Sequence, residues 1–170
     1  MTPELHKKSE YQVGILSDTH GHIPQTAINR LNGTDLIIHA GDIDTPEILT
    51  VLKRIAPLVV VRGNMDGGLW ASGLPRTEAL EVGRVWIYVL HDLSRLDLTP
   101  IAAGFRVIVS GHTHRAHLSE KEDTLYLNPG SVSHPRHPSP ASMAILNIRE
   151  GKAFPRFIDL DRDRPLNETF

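Results

Sequence analysis

Cysteine is absent from the 170 residues of this sequence. Its absence excludes disulfides, zinc sites built on thiolates and cysteine nucleophiles. Long apolar runs are missing as well, since no stretch reaches the roughly 18 apolar residues of a membrane-spanning helix. The amino-terminal stretch MTPELHKKSE also lacks the apolar centre of a signal peptide. We therefore expect a cytoplasmic protein that makes no contact with a membrane.

The sequence also has no excess of positive charge. Lysine and arginine number 18 against 20 acidic residues, so the formal net charge is -2. A protein that binds the phosphate backbone of DNA or RNA presents a basic surface, so this balance argues against a nucleic-acid polymer as partner. The length fits a single domain, which we place at residues 1–170 with a core of about 11–160.

Histidine is the residue that this sequence has in excess, with ten copies. Several of them follow short runs rich in valine and isoleucine, and each run predicts a buried strand. The runs are YQVGILS, DLIIHAG, PLVVVRG, RVWIYVL and FRVIVSG. The polar residues at or just beyond their ends are Asp18, His20, Asp42, Asn64, His91, His112 and His114.

Helical patterns separate the first three runs. PQTAINRL begins with a proline suited to a first turn, and TPEILTVLKRI offers Thr45 as N-cap. A third candidate helix, LDLTPIAAG, lies between the fourth and fifth runs. The alternation of strand and helix favours parallel pairing. EALEVGRVWIYVL predicts two strands around Gly83, and the later runs TLYLNPGS, SMAILNI and AFPRFIDL predict a largely antiparallel second half. We expect an α/β fold of two packed sheets with helices outside.

The seven polar residues are predicted to meet at one edge, because loops at the carboxyl ends of strands gather there in open α/β sheets. Two carboxylates, one amide and four imidazoles are too many for one tetrahedral zinc and suit two ions with a carboxylate between them. This set of oxygen and nitrogen donors fits Mn, Fe, Zn or Ni.

Local spacing gives a reason for the paired ligands. Asp18 and His20 should point the same way, as should His112 and His114, because residues i and i+2 of a strand share a face. The glycines expected to leave room beside the ligands are Gly41, Gly63 and Gly111.

Read in chain order, the segments DTH, GDI, GNMD, H and GHTH resemble the signature of the calcineurin-like metallophosphoesterases. The compact length and the segments VRGNMD and NPGSVSHPR make the chain similar to the small YfcE-like phosphodiesterase subfamily. The resemblance implies a four-layer α-β-β-α sandwich of two mixed sheets. It also implies a binuclear metal centre, with manganese as the expected metal, that hydrolyses a small phosphodiester by attack of a metal-bridging hydroxide.

The same resemblance implies a role for each ligand. One ion would be held by Asp18, His20 and His114, and the other by Asn64, His91 and His112, with Asp42 bridging the two. The residues assigned to catalysis are Asp42, Asn64 and His91. Weaker expectations place contacts with a small phosphoester substrate at Arg62, His134 and Arg136.

Two positions depart from the pattern of the family. Met65 stands where many members have a histidine that protonates the leaving oxygen, so the general acid is unassigned. Asp92 and Leu93 stand where the subfamily usually completes an HGH motif, which adds a carboxylate near the site. From these changes we expect esters with leaving groups of low pKa to react fastest.

Other interpretations stay open from the sequence. The same ligands would support a phosphomonoesterase, although no arginine cluster for a dianion is evident, which favours diesters. A non-catalytic scaffold of the same fold is the alternative outside enzymes. Asn128, Pro129 and Gly130 suggest a tight turn, while His39 either donates to a ligand carboxylate or packs in a strand. The apolar segment GGLWASGL suggests a contact in a homo-oligomer.

Overall fold

The structure is a computed structural model that describes residues 8–166. Its strands, in chain order, are β1 (Glu10–Leu16), β2 (Leu36–His39), β3 (Leu58–Val60), β4 (Thr77–Val82), β5 (Val85–Leu90), β6 (Val107–Val109), β7 (Ala116–Lys121), β8 (Thr124–Pro129), β9 (Ser142–Arg149), β10 (Lys152–Asp159) and β11 (Arg164–Pro165). Its helices are α1 (Gln25–Leu31), α2 (Pro46–Lys53) and α3 (Gly68–Ser72), and a 3₁₀ turn spans Leu93–Arg95.

The strands form two mixed sheets. The first has the order β11-β10-β9-β1-β2-β3, in which β1, β2 and β3 run parallel. The second has the order β4-β5-β6-β8-β7, with a parallel centre and antiparallel edges. The parallel start of the chain is confirmed, but the expectation of a largely antiparallel second half is wrong for the centre of the second sheet. There, residues 91–106 return the chain to the same edge without the long helix that usually marks a parallel crossover.

Apolar side chains fill the space between the two sheets. Ile15 and Ile38 of the first sheet belong to one cluster with Ile87 and Val107 of the second, and all four are fully buried. The other face of the first sheet is covered by α1 and α2. The outer face of the second sheet packs against the segment 93–105. The predicted sandwich of two mixed sheets is confirmed, and its outermost layer on that side consists of turns and loops.

Residues 99–104 form turns instead of the third candidate helix. The N–H of Ala103 donates to the carbonyl of Thr99 at 3.1 Å, but the chain enters a left-handed conformation at Gly104, with φ of 85°. The helix α3 and the strand β7 are not predicted from the sequence. The hairpin between β7 and β8 turns through Glu122 and Asp123, with φ of 51° and 57°. This pair is not the Asn-Gly signal of such a turn.

The helices are short, and α2 begins where the sequence predicts. Thr45 is its N-cap with an extended φ of -135°, and Pro46 is the first helical residue. Proline is tolerated there because the N–H at that position has no partner within the helix. Within residues 8–166, no helix combines the length and the apolar character needed to cross a bilayer.

Candidate functional site

The structure brings all seven predicted ligands together beyond the carboxyl ends of parallel strands. The loops after β1, β2 and β3 of the first sheet supply Asp18, His20, Asp42 and Asn64. The loops after β5 and β6 of the second sheet supply His91, His112 and His114. The site therefore lies across both sheets.

Asp18, His20, Asp42 and His114 form a first group, in which each offers one ligand atom and these atoms lie within 4.8 Å of one another. Nε2 of His114 lies 3.3 Å from Nε2 of His20 and 3.3 Å from Oδ1 of Asp18. Asp18 is fully buried, and no hydrogen bond from residues 8–166 reaches its Oδ1. A buried carboxylate oxygen without a donor is costly, and a cation would satisfy it.

Asp42 also belongs to a second group, with His91 and His112, whose ligand atoms again lie within 4.8 Å of one another. Oδ1 of Asn64 lies 3.1 Å from Nε2 of His91 and 2.9 Å from Nδ1 of His112. Nε2 of His91 also lies 3.2 Å from Oδ2 of Asp42. Ligands bonded to one ion at about 2.1 Å are separated by about 3.0 to 3.4 Å in octahedral or tetrahedral arrangements. These spacings are those expected around a shared ion.

Oxygen acceptors fix which nitrogen faces the site in three of the imidazoles. Nδ1 of His91 lies 2.7 Å from the carbonyl oxygen of Ala40, and Nδ1 of His114 lies 2.6 Å from that of His134. A carbonyl oxygen only accepts, so both Nδ1 atoms donate and each Nε2 keeps a lone pair that points inward. His20 follows the same pattern, with Nδ1 3.1 Å from a carboxylate oxygen of the loop after β2. In the neutral rings, the lone pairs of His20 and His114 thus face the first group and that of His91 faces the second, as expected of metal ligands.

Burial and neighbouring charges shift the pKa values of these groups. Burial raises the pKa of Asp18. Burial also acts to raise the pKa of Asp42, but hydrogen bonds with His91 and with the backbone N–H of Met65 prevail and lower it. For His91, burial favours the neutral ring, yet its hydrogen bond with Asp42 and the charge of that carboxylate raise the pKa. A positive charge at this point, either a proton on His91 or a metal ion, balances the Asp42 carboxylate.

Left-handed backbone conformations, rather than strand geometry, direct most of the ligands. The ligands with positive φ are Asp18 (54°), His20 (44°), Asp42 (56°), His112 (71°) and His114 (59°). β1 ends at Leu16 and β6 at Val109, so both ligand pairs lie in loops. The explanation from residues i and i+2 of a strand is therefore wrong. A left-handed conformation costs a non-glycine residue about 1–2 kcal/mol, and it persists only where the surroundings hold it.

The carboxylate of Asp66 holds the loop after β2 against the loop after β3. Its two oxygens accept backbone hydrogen bonds of 2.7 to 3.1 Å from Asp42, Ile43, Asp44 and Gly63. Because the backbone occupies both oxygens, Asp66 is a positioning residue for Asp42. This role was not predicted from the sequence, although the acid two positions after Asn64 in GNMD is a usable signal for it.

Side chains in β8 and just after it hold two further loops that carry predicted ligands. Oγ of Ser131 donates to the carbonyl of Asp18 at 2.7 Å, and Oγ of Ser133 donates to that of the next residue at 2.7 Å. Nδ2 of Asn128 donates to the carbonyl of Gly111 at 2.6 Å. Asn128 therefore lies in β8 and anchors the loop after β6. The expected tight turn begins later than predicted, because Asn128 and Pro129 both pair with β7, although the N–H of Gly130 does donate to Oδ1 of Asn128 at 2.9 Å. The alternating serines of GSVSH are a sequence signal from which these contacts could have been predicted.

His39 contacts the ligand loops and not a ligand carboxylate. Its Nδ1 accepts the N–H of Gly41 at 3.2 Å, so Nε2 carries the hydrogen and donates to Oγ1 of Thr19 at 3.0 Å. Complete burial lowers the pKa of His39 to about 4. A neutral ring in this position links the loops after β1 and β2.

Three glycines allow close approaches of the backbone in the site. A Cβ on Gly41, whose φ is 94°, would lie 2.7 Å from Nδ1 of His91 and 2.8 Å from the backbone nitrogen of Gly63. A Cβ on Gly63 would collide with Asp42, and one on Gly111 would collide with the loop after β1. The prediction that these glycines leave room beside the ligands is confirmed.

The predicted substrate contacts lie on two sides of the site. His134 is exposed, and its ring centroid lies 5.1 Å from that of His20. Arg136 is exposed, and its backbone N–H donates to the carbonyl of His114 at 3.2 Å. Arg62 is half-buried on the other side, where its Nε donates to a backbone oxygen of its own loop at 2.9 Å.

A cavity of about 480 Å³ opens beside the second group. Its wall includes the ligands Asn64, His91 and His112 and the arginines Arg62, Arg76 and Arg95. The expectation that no arginine cluster stands near the site is therefore wrong. Three separate segments carry these arginines, so only the fold brings them together.

Asp92 also lies in the wall of this cavity, where its carboxylate caps the 3₁₀ turn. Its Oδ1 accepts from the N–H and Oγ of Ser94 at 3.0 and 2.7 Å, and its Oδ2 lies 3.5 Å from Nε of Arg95. Burial acts to raise the pKa of Asp92, but these hydrogen bonds and the nearby positive charges lower it. The extra carboxylate is thus engaged by its own turn.

Residues 11–151 match the model of a family described as the calcineurin-like phosphoesterase superfamily domain. The chain belongs to that superfamily. A protein of Methanocaldococcus jannaschii named as a probable metallophosphoesterase is 38% identical over 146 residues, which are 78% of this chain and 74% of the relative. The donor set of this calcineurin-like phosphoesterase fits divalent metal ions as cofactors.

Solved structures share the calcineurin-like fold. YfcE, a phosphoesterase from E. coli, superimposes with a TM-score of 0.73 at 19% identity, covering 93% of this chain and 98% of YfcE. Vacuolar protein sorting 29 from Cryptosporidium parvum superimposes with a TM-score of 0.80 at 19% identity, covering 94% of this chain and 96% of the other. At these identities the likeness shows the fold alone.

Proposed function

We propose that this calcineurin-like phosphoesterase holds two divalent metal ions and uses them to hydrolyse a small phosphodiester. The ligands of one ion would be Asp18, His20 and His114, those of the other Asn64, His91 and His112, and Asp42 would serve both. The main support is the position of Asp42, whose carboxylate belongs to both ligand groups. A shared carboxylate suits two ions about 3.5–4 Å apart, the separation found in two-metal hydrolytic sites.

When bound, two such ions lower the pKa of a water molecule toward neutrality and withdraw charge from the phosphoryl oxygens. The chain itself supplies orientation. The carbonyls of Ala40 and His134 fix the rings of His91 and His114, and Asp66 fixes the loop of Asp42. Because these groups are set in place by the fold, little reorganisation accompanies the reaction. We expect manganese, since the donors mix carboxylates with imidazoles.

A diester carries a substituent on each side of phosphorus, and the site offers space on two sides. The cavity beside the second group can take one substituent. The exposed segment of His134 and Arg136 borders the other side. Met65, at the position of the missing acid and 59% exposed, cannot donate a proton to the leaving oxygen. The proposed substrate is therefore a diester with a leaving group of low pKa.

Metal content and hydrolysis, measured on the same samples, test this function. The protein is stripped with EDTA, reloaded with Mn²⁺, Ni²⁺ or Zn²⁺, and assayed on bis(p-nitrophenyl) phosphate and p-nitrophenyl phosphate. We expect two ions per chain and faster hydrolysis of the diester. Asp42→Asn should hold fewer ions and lose at least about 100-fold in rate, since even residues that only orient metal ligands cost 10–100-fold. Asp35→Asn, which alters a carboxylate bonded to the N–H of Gln12, is the matched control and should keep both properties.

Each contrary result has its own meaning. The proposal would be overturned if the protein held no stoichiometric metal after treatment with Mn²⁺, Ni²⁺ or Zn²⁺. Two bound ions without hydrolysis of either ester would favour a non-catalytic scaffold of the same fold. Faster hydrolysis of the monoester would overturn only the preference for diesters.

A further inference from the structure

We propose that the cavity beside His112 binds a second phosphate group, so that the substrate is a small phosphodiester whose organic part carries a phosphate of its own. This inference rests on the function proposed above. The cavity, of about 480 Å³, has the size of a small-ligand site. Because Asn64, His91 and His112 form part of its wall, a substituent of an ester held at the ligand groups enters it directly.

Arg62 and Arg76 lie in the wall of this cavity on two neighbouring segments of the chain. The backbone N–H of Arg62 donates to the carbonyl of Pro75 at 2.7 Å, which brings the residue before Arg76 onto the loop after β3. Thr77 pairs with Leu90 in the ladder of β4 and β5. Arg76 directly precedes Thr77 and His91 directly follows Leu90, so the two residues lie at the same end of this ladder.

Arg95 completes the cluster from a third segment. It is the last residue of the 3₁₀ turn that Asp92 caps, and its side chain is 72% exposed. That turn follows the ligand His91 directly, so its position is tied to the second group. The arginines thus reach one cavity from the loop after β3, from the start of β4 and from the turn after β5.

The charge of the cavity wall is positive and only partly balanced. Asp92 offsets Arg95, with 3.5 Å between Oδ2 and Nε. Arg76 forms no ion pair with any carboxylate of residues 8–166. Arg62 donates through Nε to a backbone oxygen, a neutral partner. Roughly two positive charges are therefore unbalanced, which matches a dianionic phosphate monoester better than a singly charged carboxylate. Guanidinium groups bind phosphate oxygens in pairs, which adds geometric selectivity.

Three p-nitrophenyl diesters with the same reacting phosphorus and leaving group test the proposal. The first is the p-nitrophenyl ester of thymidine 5′-phosphate, the second carries an added 3′-phosphate, and the third carries a 3′-carboxymethyl group instead. On manganese-loaded protein we expect kcat/KM to be about 10-fold higher for the second compound than for the first, as for charge-assisted hydrogen bonds, and a smaller gain for the third. An equal gain for the third compound would overturn the assignment to phosphate.

Variants locate the effect within the protein. Arg76→Gln and Arg95→Gln should each bring the ratio of the two kcat/KM values, second compound over first, down to about 3 or less. Arg156→Gln, an exposed arginine of β10, is the matched control and should leave the ratio unchanged. A ratio near 1 in the unmodified protein, or an unchanged ratio in both cavity variants, would overturn the proposal while leaving the hydrolytic function standing.

A binding measurement separates this inference from the function on which it rests. Calorimetric titration of the manganese-loaded protein with thymidine 3′,5′-bisphosphate and with thymidine 5′-phosphate should give about 10-fold tighter binding of the bisphosphate, lost in Arg76→Gln. If no ester is hydrolysed but this preference is found, the phosphate site stands and the proposed function fails. Equal affinities for the two nucleotides would overturn the phosphate site, whatever the outcome of the assays.

Discussion

Oδ2 of Asp66 accepts the backbone N–H of Asp42 at 3.1 Å, and through this bond one carboxylate fixes the backbone of another. Its Oδ1 accepts the next two N–H groups of the same loop at 2.7 and 2.9 Å. Asp42 has a φ of 56°, a conformation that needs such support. The position of the shared ligand is thus set by a residue that belongs to neither ligand group.

We expect Asp66→Asn to lower the free energy of unfolding by about 2–3 kcal/mol, because the amide turns its own N–H groups toward backbone donors. Metal affinity should fall by about 10–100-fold, since the loop of a ligand loses its anchor. Urea unfolding and metal titration measure the two effects. Asp163→Asn removes an exposed carboxylate paired with Arg30 and should change little. An unfolding midpoint of Asp66→Asn equal to that of the unmodified protein would contradict this role.

Protonation of His39 should make stability depend on pH. The pKa of His39 is about 4 in the folded protein, whereas the ordinary pKa of a histidine, taken for the unfolded chain, is 6.5. Between these two pH values the unfolded chain therefore binds more protons than the folded protein. The contribution of His39 is therefore complete above about pH 6.5 and is lost as the pH falls toward 4, by a total of the order of 3 kcal/mol. His39→Gln keeps a polar side chain that does not titrate. In EDTA, its unfolding free energy should fall less steeply between pH 7 and pH 4.5, and parallel curves for the two proteins would count against the prediction.

Gly41→Ala should destabilise the protein by about 2–4 kcal/mol, from a left-handed alanine and from crowding against His91 and Gly63. Gly73→Ala is the matched control, because Gly73 has a φ of -85° and no atom within 4 Å of an added Cβ. That variant should stay within about 0.5 kcal/mol of the unmodified protein. Thermal unfolding compares the two, and similar midpoints would show that the loop has more room than the structure indicates.

A histidine in place of Met65 should supply the missing general acid. The backbone N–H of Met65 donates to Oδ1 of Asp42 at 2.8 Å, so this residue lies at the rim of the site. We expect Met65→His to raise kcat on alkyl esters by about 10-fold or more and to change the rate on aryl esters less, because a good leaving group needs no proton. Leu69→His, at a side chain that is 94% exposed on α3, serves as the control. Equal gains on both ester classes would argue against proton donation.

The site could be predicted at the ends of the β-branched runs. A buried strand tolerates few polar side chains, so polar residues that follow it directly stand out. Asn64 and His91 illustrate this, since each follows a run with buried valines. The conformation of the ligands could not be predicted in the same way. Aspartate and histidine adopt left-handed conformations only when the surroundings hold them, and at Asp18 that support comes from Ser131, more than a hundred residues away.

Contacts between distant segments account for most of what the sequence did not reveal. Arg62 and Arg76 are brought together by one backbone hydrogen bond to Pro75, which no local pattern indicates. The third candidate helix has a suitable composition, but the chain forms only turns there and becomes left-handed at Gly104. Local patterns therefore predicted most of the strands and the residues that meet at the site, whereas the cavity lined by three arginines and the positioning role of Asp66 depend on tertiary structure.

The ligand set is divided between the two sheets, and this division has a consequence for the lifetime of the protein. Cations bound by these residues would link loops of the first sheet to loops of the second. By mass action, resistance to unfolding would then rise with the free cation concentration. Removal of the metal by a chelator would lower both the stability of the sandwich and the enzymatic activity. The concentration of available metal would therefore control both the hydrolysis of substrate and the resistance of the protein to proteolysis.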